Sequence, residues 1–229
     1  MAVKEVDSPQ HYSIVEVPEA IEEVAGIRLF GRVIKSIIFT TDIALINNNN
    51  ADAVMAVHPF TPQAAVNRKI IEIAKVPVFC GINGMHMSSK RLVKLSRDAE
   101  FSGAAGLIIG PDVEYEAAAK IKLAVDIPVI ATVVSVKEDV ERKFEAGADM
   151  LNVSGAEETC AIIENIRKNN PYVPIIATGG PTDDTLKETI ACGADAITFT
   201  PPTNAEIFKK QMQAFRDSLN GMEEAVADE

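Results

Sequence analysis

Val76-Pro77-Val78, Ile127-Pro128-Val129 and Val173-Pro174-Ile175 are the stretches that decide the fold, because each leads into a short apolar run of strand length. Between them stand Gly103-Ala104-Ala105, Gly147-Ala148-Asp149 and Gly193-Ala194-Asp195, small-residue steps that lead into further apolar runs. Each run is followed by a turn and then by apolar residues at intervals of three and four. A strand alternating in this way with an amphipathic helix is the pattern of parallel strands joined by crossover helices.

Working outward, strands are predicted over 36–40, 53–57, 78–81, 106–109, 129–133, 150–153, 175–177 and 196–199. Helices are predicted over 61–74, 88–102, 114–125, 136–146, 156–168 and 182–192, with a last one over 204–219. Asn204 would cap that last helix, or Thr203 would, with Glu206 completing a capping box. The segment 41–50 is short for a full helix, and Asn47 to Asn50 suit a helix end and turn. The predicted fold is an α/β (β/α)8 TIM barrel; the alternative, an open doubly wound sheet, lacks its Rossmann fingerprint. The domain reading is an N-terminal extension over 1–35, the barrel over 36–220 and an acidic disordered tail over 221–229. Within the extension, residues 18–31 carry apolar Ile21, Val24, Ala25 and Leu29. They are expected to form a helix that plugs the barrel bottom or adds to its rim.

With 229 residues, 47% of them hydrophobic, the chain can bury one sizeable core. Its three cysteines, Cys80, Cys160 and Cys192, match no metal knuckle and no paired disulfide framework, so a reducing, cytoplasmic location is expected. No apolar run approaches the roughly 20 residues a membrane helix requires, and no membrane partner is expected. The formal net charge of -11 repels polyanions and argues against a nucleic-acid partner. Lys90, Arg91, Lys94 and Arg97 fall at helical spacing and read as a solvated helix face.

In barrels and open sheets alike, ligands gather at the C-terminal ends of the strands. Here that rim is rich in hydroxyls and amides and poor in strong acids and bases. Lys35 and Lys75 precede their strands, at the opposite end, which weakens a Schiff-base reading. Three residues are candidates for catalysis. Asp42 is a candidate base, or else a helix cap; His58 can exchange protons near neutral pH; Asp112 follows Gly110-Pro111 and is either catalytic or a turn former. No metal site or cofactor is expected, the alternative being a divalent cation held by these three residues. Asn83, Asn152 and Ser154 would orient substrate oxygens, Thr132 and Thr200 are further substrate-binding candidates, Thr178 would hold the ligand's anionic end with Gly179 and Gly180, and His86 lies in a loop that would be either a lid or merely exposed. Gly179 and Gly180 would let the backbone approach an anion, unless they only make a tight strand-to-helix turn.

The run Ile175-Ile176-Ala177-Thr178-Gly179-Gly180-Pro181, followed by the Gly193-Ala194-Asp195 step, resembles the phosphate-binding, aldolase-type TIM-barrel superfamily. Keto-deoxy-phosphogluconate aldolases and thiamine phosphate synthases belong to it. The likeness extends in organisation over 36–219 and in sequence over 174–202. It implies a phosphorylated ligand held at Thr178, Gly179 and Gly180. Two departures stand out. Pro201-Pro202 follows the last strand, where such barrels offer N–H groups, and Met150-Leu151-Asn152-Val153 occupies the strand that carries the aldolase lysine.

The expected function is an enzyme acting on a small, phosphorylated, carbonyl or sugar-like metabolite by acid/base chemistry, as an isomerase or a non-Schiff-base C–C lyase. A hydrolase is an alternative, although no Gly-x-Ser-x-Gly elbow is present. The other alternative is a non-catalytic metabolite sensor, since from Gly103 onward the chain also resembles the glycerol-3-phosphate-responsive antiterminators. A small anionic ligand and a homo-oligomer are the expected partners.

Overall fold

The computed structural model describes residues 15–84, 87–180 and 182–227, with side chains up to residue 219. His86 and Pro181 lie outside the described residues. Eight parallel strands close into a barrel: β3 (Ser36–Phe39), β4 (Ala53–Ala56), β5 (Val78–Ile82), β6 (Gly106–Ile109), β7 (Val129–Val133), β8 (Met150–Val153), β9 (Ile175–Thr178) and β10 (Ala196–Phe199). The last pairs with the first through Thr198 opposite Ile37. The predicted (β/α)8 TIM barrel is the observed fold, and every predicted barrel strand is present.

The helices are α1 (Ile43–Asn47), α2 (Ala64–Ile73), α3 (Ser89–Phe101), α4 (Tyr115–Lys122), α5 (Val140–Glu145), α6 (Thr159–Asn169), α7 (Asp183–Ala191) and α8 (Asn204–Ala227). The last runs further than the sequence suggested and takes in most of the segment expected to be a disordered tail. On α3, Lys90, Arg91, Lys94 and Arg97 are exposed, while Leu92, Ser96 and Ala99 turn to the core.

The aspartates that lead into β4, β8 and β10 have a physical purpose. The Asp52 carboxylate accepts the Ser36 N–H at 3.0 Å, that of Asp149 accepts the Val129 N–H at 2.8 Å, and that of Asp195 accepts the Ile175 N–H at 2.8 Å. In each case an aspartate one strand ahead holds the first N–H of the strand before it. Proline fits just before Val129 and Ile175, where no ladder donor is needed.

Two shells of side chains result from the period of two along each strand. Ile37, Met55, Ile108, Ile130, Met150 and Ile176 point inward and fill the barrel, whereas Ile38, Val54, Leu107, Val129, Leu151 and Ile197 point outward beneath the helices. Full burial of each aliphatic side chain contributes about 1.5–3 kcal/mol.

The extension corrects the sequence reading. Among its described residues, 15–35, it is helical only over one 3-10 turn, Glu19–Glu23, and then forms an antiparallel hairpin of β1 (Ile27–Leu29) and β2 (Arg32–Ile34). Phe30 and Gly31 at its tip both have positive φ, 49° and 78°, as a two-residue hairpin turn that follows the strand twist demands. Ile27, Leu29 and Ile34 pack with the inward-facing core, so the barrel bottom is plugged by a hairpin and not by a helix. The segment before it runs from the end of α1, where Val15 N–H donates to Asn48 O, to the start of β10, where Gly26 N–H donates to Asp195 O. Between these ties the 3-10 turn packs against α7, and Ala20, Ile21 and Val24 join the outer shell with Ile38, Ile197 and Phe199.

A second correction concerns the cysteines. Cys160 on α6 and Cys192, just past α7, form a disulfide, and only Cys80 is free. The wide sequence spacing concealed a pair that adjacent helices bring together, so the argument from unpaired thiols to a reducing compartment falls away. No helix among the described residues is long and apolar enough to cross a membrane.

Candidate active site at the barrel mouth

At the C-terminal ends of the strands the inward-facing column changes character. Ile130 gives way to Thr132, Met150 to Asn152, Ile176 to Thr178 and Ala196 to Thr198. These four form the floor of a cavity of about 330 Å³, whose walls include Phe39, Met55, Val57, Asn83, Ile108, Gly110, Pro111, Val134, Ser154 and Thr200. None of these lining side chains is ionisable. The mouth therefore combines an apolar wall on β3, β4 and β6 with a neutral hydrogen-bonding wall on β7 to β10.

Two polar atoms on that wall are buried and make no hydrogen bond within the protein: Asn152 Oδ1 and Thr198 Oγ1. Asn152 Nδ2 donates to Thr132 Oγ1 at 3.3 Å, which fixes the amide and aims its carbonyl oxygen away from that partner. An unpaired buried polar group costs about 1–3 kcal/mol, a cost that a ligand or an ordered water at the mouth would relieve. On the opposite wall, Asn83 Nδ2 donates to the backbone carbonyl of His58 at 2.9 Å, leaving its own carbonyl beside Gly110.

Six residues expected to bind substrate line this cavity together: Asn83, Thr132, Asn152, Ser154, Thr178 and Thr200. The three expected catalytic residues do not line it. Asp42 caps α1, accepting Ala44 N–H at 2.8 Å through Oδ1 and Asn204 Nδ2 at 2.6 Å through Oδ2. His58 has the parity of Ala56, whose side chain faces the outer shell; Val57 has the inward parity. The Nδ1 atom of His58 is buried and unpaired. Asp112 lies at the rim, its carboxylate against Gly84 and Gly110. Among the described residues no three His, Cys, Asp or Glu side chains gather into a metal site.

Gly179 and Gly180 do not line the cavity either. Gly179 donates its N–H to Thr198 O at 3.0 Å, and a Cβ on it would strike Leu186 and Ile197, so close strand-to-helix packing requires glycine there. Gly180 has φ +73°, a left-handed conformation. The neighbouring helix starts are capped from within. Thr182 and Thr185 form a reciprocal box at α7, and the Glu206 carboxylate accepts Thr203 N–H at 2.8 Å at α8. A carboxylate at that second start disfavours an anion there.

Phe39, Met55, Val57 and Thr198 belong to the cavity but were not singled out as site residues from the sequence. Their signal is parity: each lies two residues beyond an inward-facing core residue of its strand.

No family model matches the chain, and no curated protein matches it. Solved structures do. A mandelate oxidase aligns with TM-score 0.62 at 14% identity, over 77% of this chain and 68% of its own. A candidate phosphonomutase from Burkholderia cenocepacia J2315 aligns with TM-score 0.60 at 18% identity, over 80% of this chain and 93% of its own. A candidate dihydrodipicolinate synthetase from Pseudomonas aeruginosa aligns with TM-score 0.58 at 12% identity, over 73% of this chain and 71% of its own. What is shared at these identities is the fold. These neighbours are three differently named enzymes, and one barrel fold hosts many chemistries.

Proposed function

We propose that the chain is a barrel enzyme that binds a small metabolite bearing hydroxyl or carbonyl groups at the C-terminal mouth. The observation that carries this reading is the pair of unpaired buried atoms, Asn152 Oδ1 and Thr198 Oγ1, on the floor of the cavity. Asn152 Oδ1 accepts only, so it calls for a ligand donor such as a hydroxyl; Thr198 can give or accept. Thr132, Thr178 and Asn83 would orient further oxygens, and the apolar wall of Phe39, Met55 and Val57 would cover the carbon skeleton. The chemistry would be isomerisation or C–C lysis, with Asp112 at the rim moving the proton. A phosphate held by Gly179 gains no support, because its N–H is already committed to Thr198 O.

One observation favours a second reading, a metabolite sensor without turnover: no ionisable side chain lines the cavity. A single experiment separates the two. Sugars and keto acids, phosphorylated and not, are screened by thermal shift against wild type, Asn152→Leu and Asp112→Asn, and each hit is then incubated and assayed for conversion. An enzyme converts a hit, loses binding in Asn152→Leu, and keeps binding but loses conversion in Asp112→Asn. A sensor binds the hit and returns it unchanged. If no compound shifts the wild type, or Asn152→Leu responds as wild type does, the mouth is not the site and both readings fail.

A further inference from the structure

The last helix has no seat on its own barrel. In an eight-fold barrel the final helix normally covers the outer wall between the last strand and the first. Here Ile38 of β3 and Ile197 and Phe199 of β10 are buried on that wall together with Ala20, Ile21 and Val24 of the N-terminal segment. That segment is held at both ends by backbone hydrogen bonds to Asn48 and Asp195. With the wall already covered, α8 is tied to the barrel near its first turn, through Asn204 to Asp42, and every side chain from Phe208 to Leu219 is exposed.

The exposed surface of α8 is not that of a solvated helix. Phe208 is 62% exposed, Met212 38%, Phe215 60% and Leu219 48%, and their steps of four, three and four place them on one stripe. That spacing is the 3.5-residue repeat of a helix that packs along another helix. A helix of 24 residues is about 36 Å long, enough for several layers of such contacts. Single apolar residues on a surface need no explanation, whereas four aligned along one unpartnered helix mark an interaction surface.

Charge along the helix points to the partner. Residues 204–216 hold three bases, Lys209, Lys210 and Arg216, against one acid, Glu206. Residues 217–229 hold five acids and no base. Two parallel copies would set base against base and acid against acid. Two antiparallel copies paired along the stripe bring Lys209 and Lys210 of each beside Asp217 of the other and also oppose the helix dipoles.

We infer that α8 is a self-association helix, through which two copies of this chain pair antiparallel along Phe208, Met212, Phe215 and Leu219. The contact is isologous, so it closes at a dimer. It is independent of what the mouth binds.

The test is the mass of the full chain in solution, by light scattering and sedimentation, for wild type, Phe215→Glu and the double variant Lys209→Glu with Lys210→Glu. Wild type is expected at twice the chain mass. Phe215→Glu is expected at the mass of one chain with its barrel unfolding transition unchanged, since that side chain is exposed. The lysine reversal is expected to weaken the dimer by roughly tenfold or more at low salt, and added salt is expected to weaken the wild-type dimer. Wild type at the mass of one chain overturns the proposal, as does a dimer that survives Phe215→Glu. A dimer lost in Phe215→Glu but indifferent to the lysine reversal overturns the antiparallel arrangement.

Discussion

The carboxylate of Asp195 accepts the backbone N–H of Ile175 at 2.8 Å, so the residue that leads into β10 holds the first donor of β9. The same oxygen takes the Arg167 guanidinium at 2.6 Å, and Arg167 in turn donates to Gly193 O and Val173 O. Removing the carboxylate strands a backbone donor and a guanidinium at once. Asp195→Ala is expected to lose about 2 kcal/mol, below the full worth of a buried charged pair because the pair is partly exposed to solvent. That corresponds to a melting temperature lower by roughly 4–8 °C for a chain of this size. Calorimetry of the variant checks it, and an unchanged transition would show the tie to be ornamental.

The barrel was legible because its strands are short, apolar and bracketed by residues with one purpose each. Proline excludes a ladder donor, and the Gly-Ala-Asp step brings a carboxylate to the preceding strand. The extension was misread because Ile21, Val24, Ala25 and Leu29 match helical spacing, while the Phe30-Gly31 turn that makes it a hairpin depends on two positive φ values. The site was legible in part. Hydroxyls and amides after each strand gave Asn83, Thr132, Asn152, Ser154, Thr178 and Thr200, but which face each residue presents depends on register, and one residue of difference separates Val57 from His58. Asp42 illustrates the remaining limit: a carboxylate after a strand serves a cap and a base equally well until its partners are known.

The disulfide between Cys160 and Cys192 closes a loop of 32 residues across α6 and α7, which chain entropy values at about 3–4 kcal/mol. Protein purified without reductant and unfolded in denaturant is expected to show one reactive thiol, rising to three after reduction. The reduced protein is expected to melt well below the oxidised one. Three thiols before reduction would place the pair in its open form.

Cys80 sits wholly inside the outer shell, and burial pushes its thiol from the ordinary 9.0 up to about 12. The native state therefore keeps a proton that the unfolded chain releases above pH 9. This contribution to stability is complete below pH 9 and is lost as pH rises from 9 towards 12. Between about pH 8 and about pH 10.5, wild type is expected to lose about 2 kcal/mol relative to Cys80→Ala. Parallel urea titrations of the two proteins would reveal it. Equal losses would mean that water reaches the thiol.

The hydroxyl of Thr198 is buried on the cavity floor without a protein partner, at 3% exposure. Replacing it with a methyl group of nearly the same shape removes an unpaired polar atom and leaves the packing intact. Thr198→Val is accordingly expected to raise the stability of the ligand-free protein by about 1 kcal/mol, a direction opposite to that of most core substitutions. The same change is expected to cut the thermal shift produced by a ligand that binds the mouth as proposed, because it removes a hydroxyl that such a ligand would pair with. Melting curves of wild type and variant, with and without a hit from the screen, read both effects. A variant that melts lower than wild type would mean that the hydroxyl is satisfied in the resting protein, and a variant that is stabilised yet binds normally would move the ligand off the floor of the barrel.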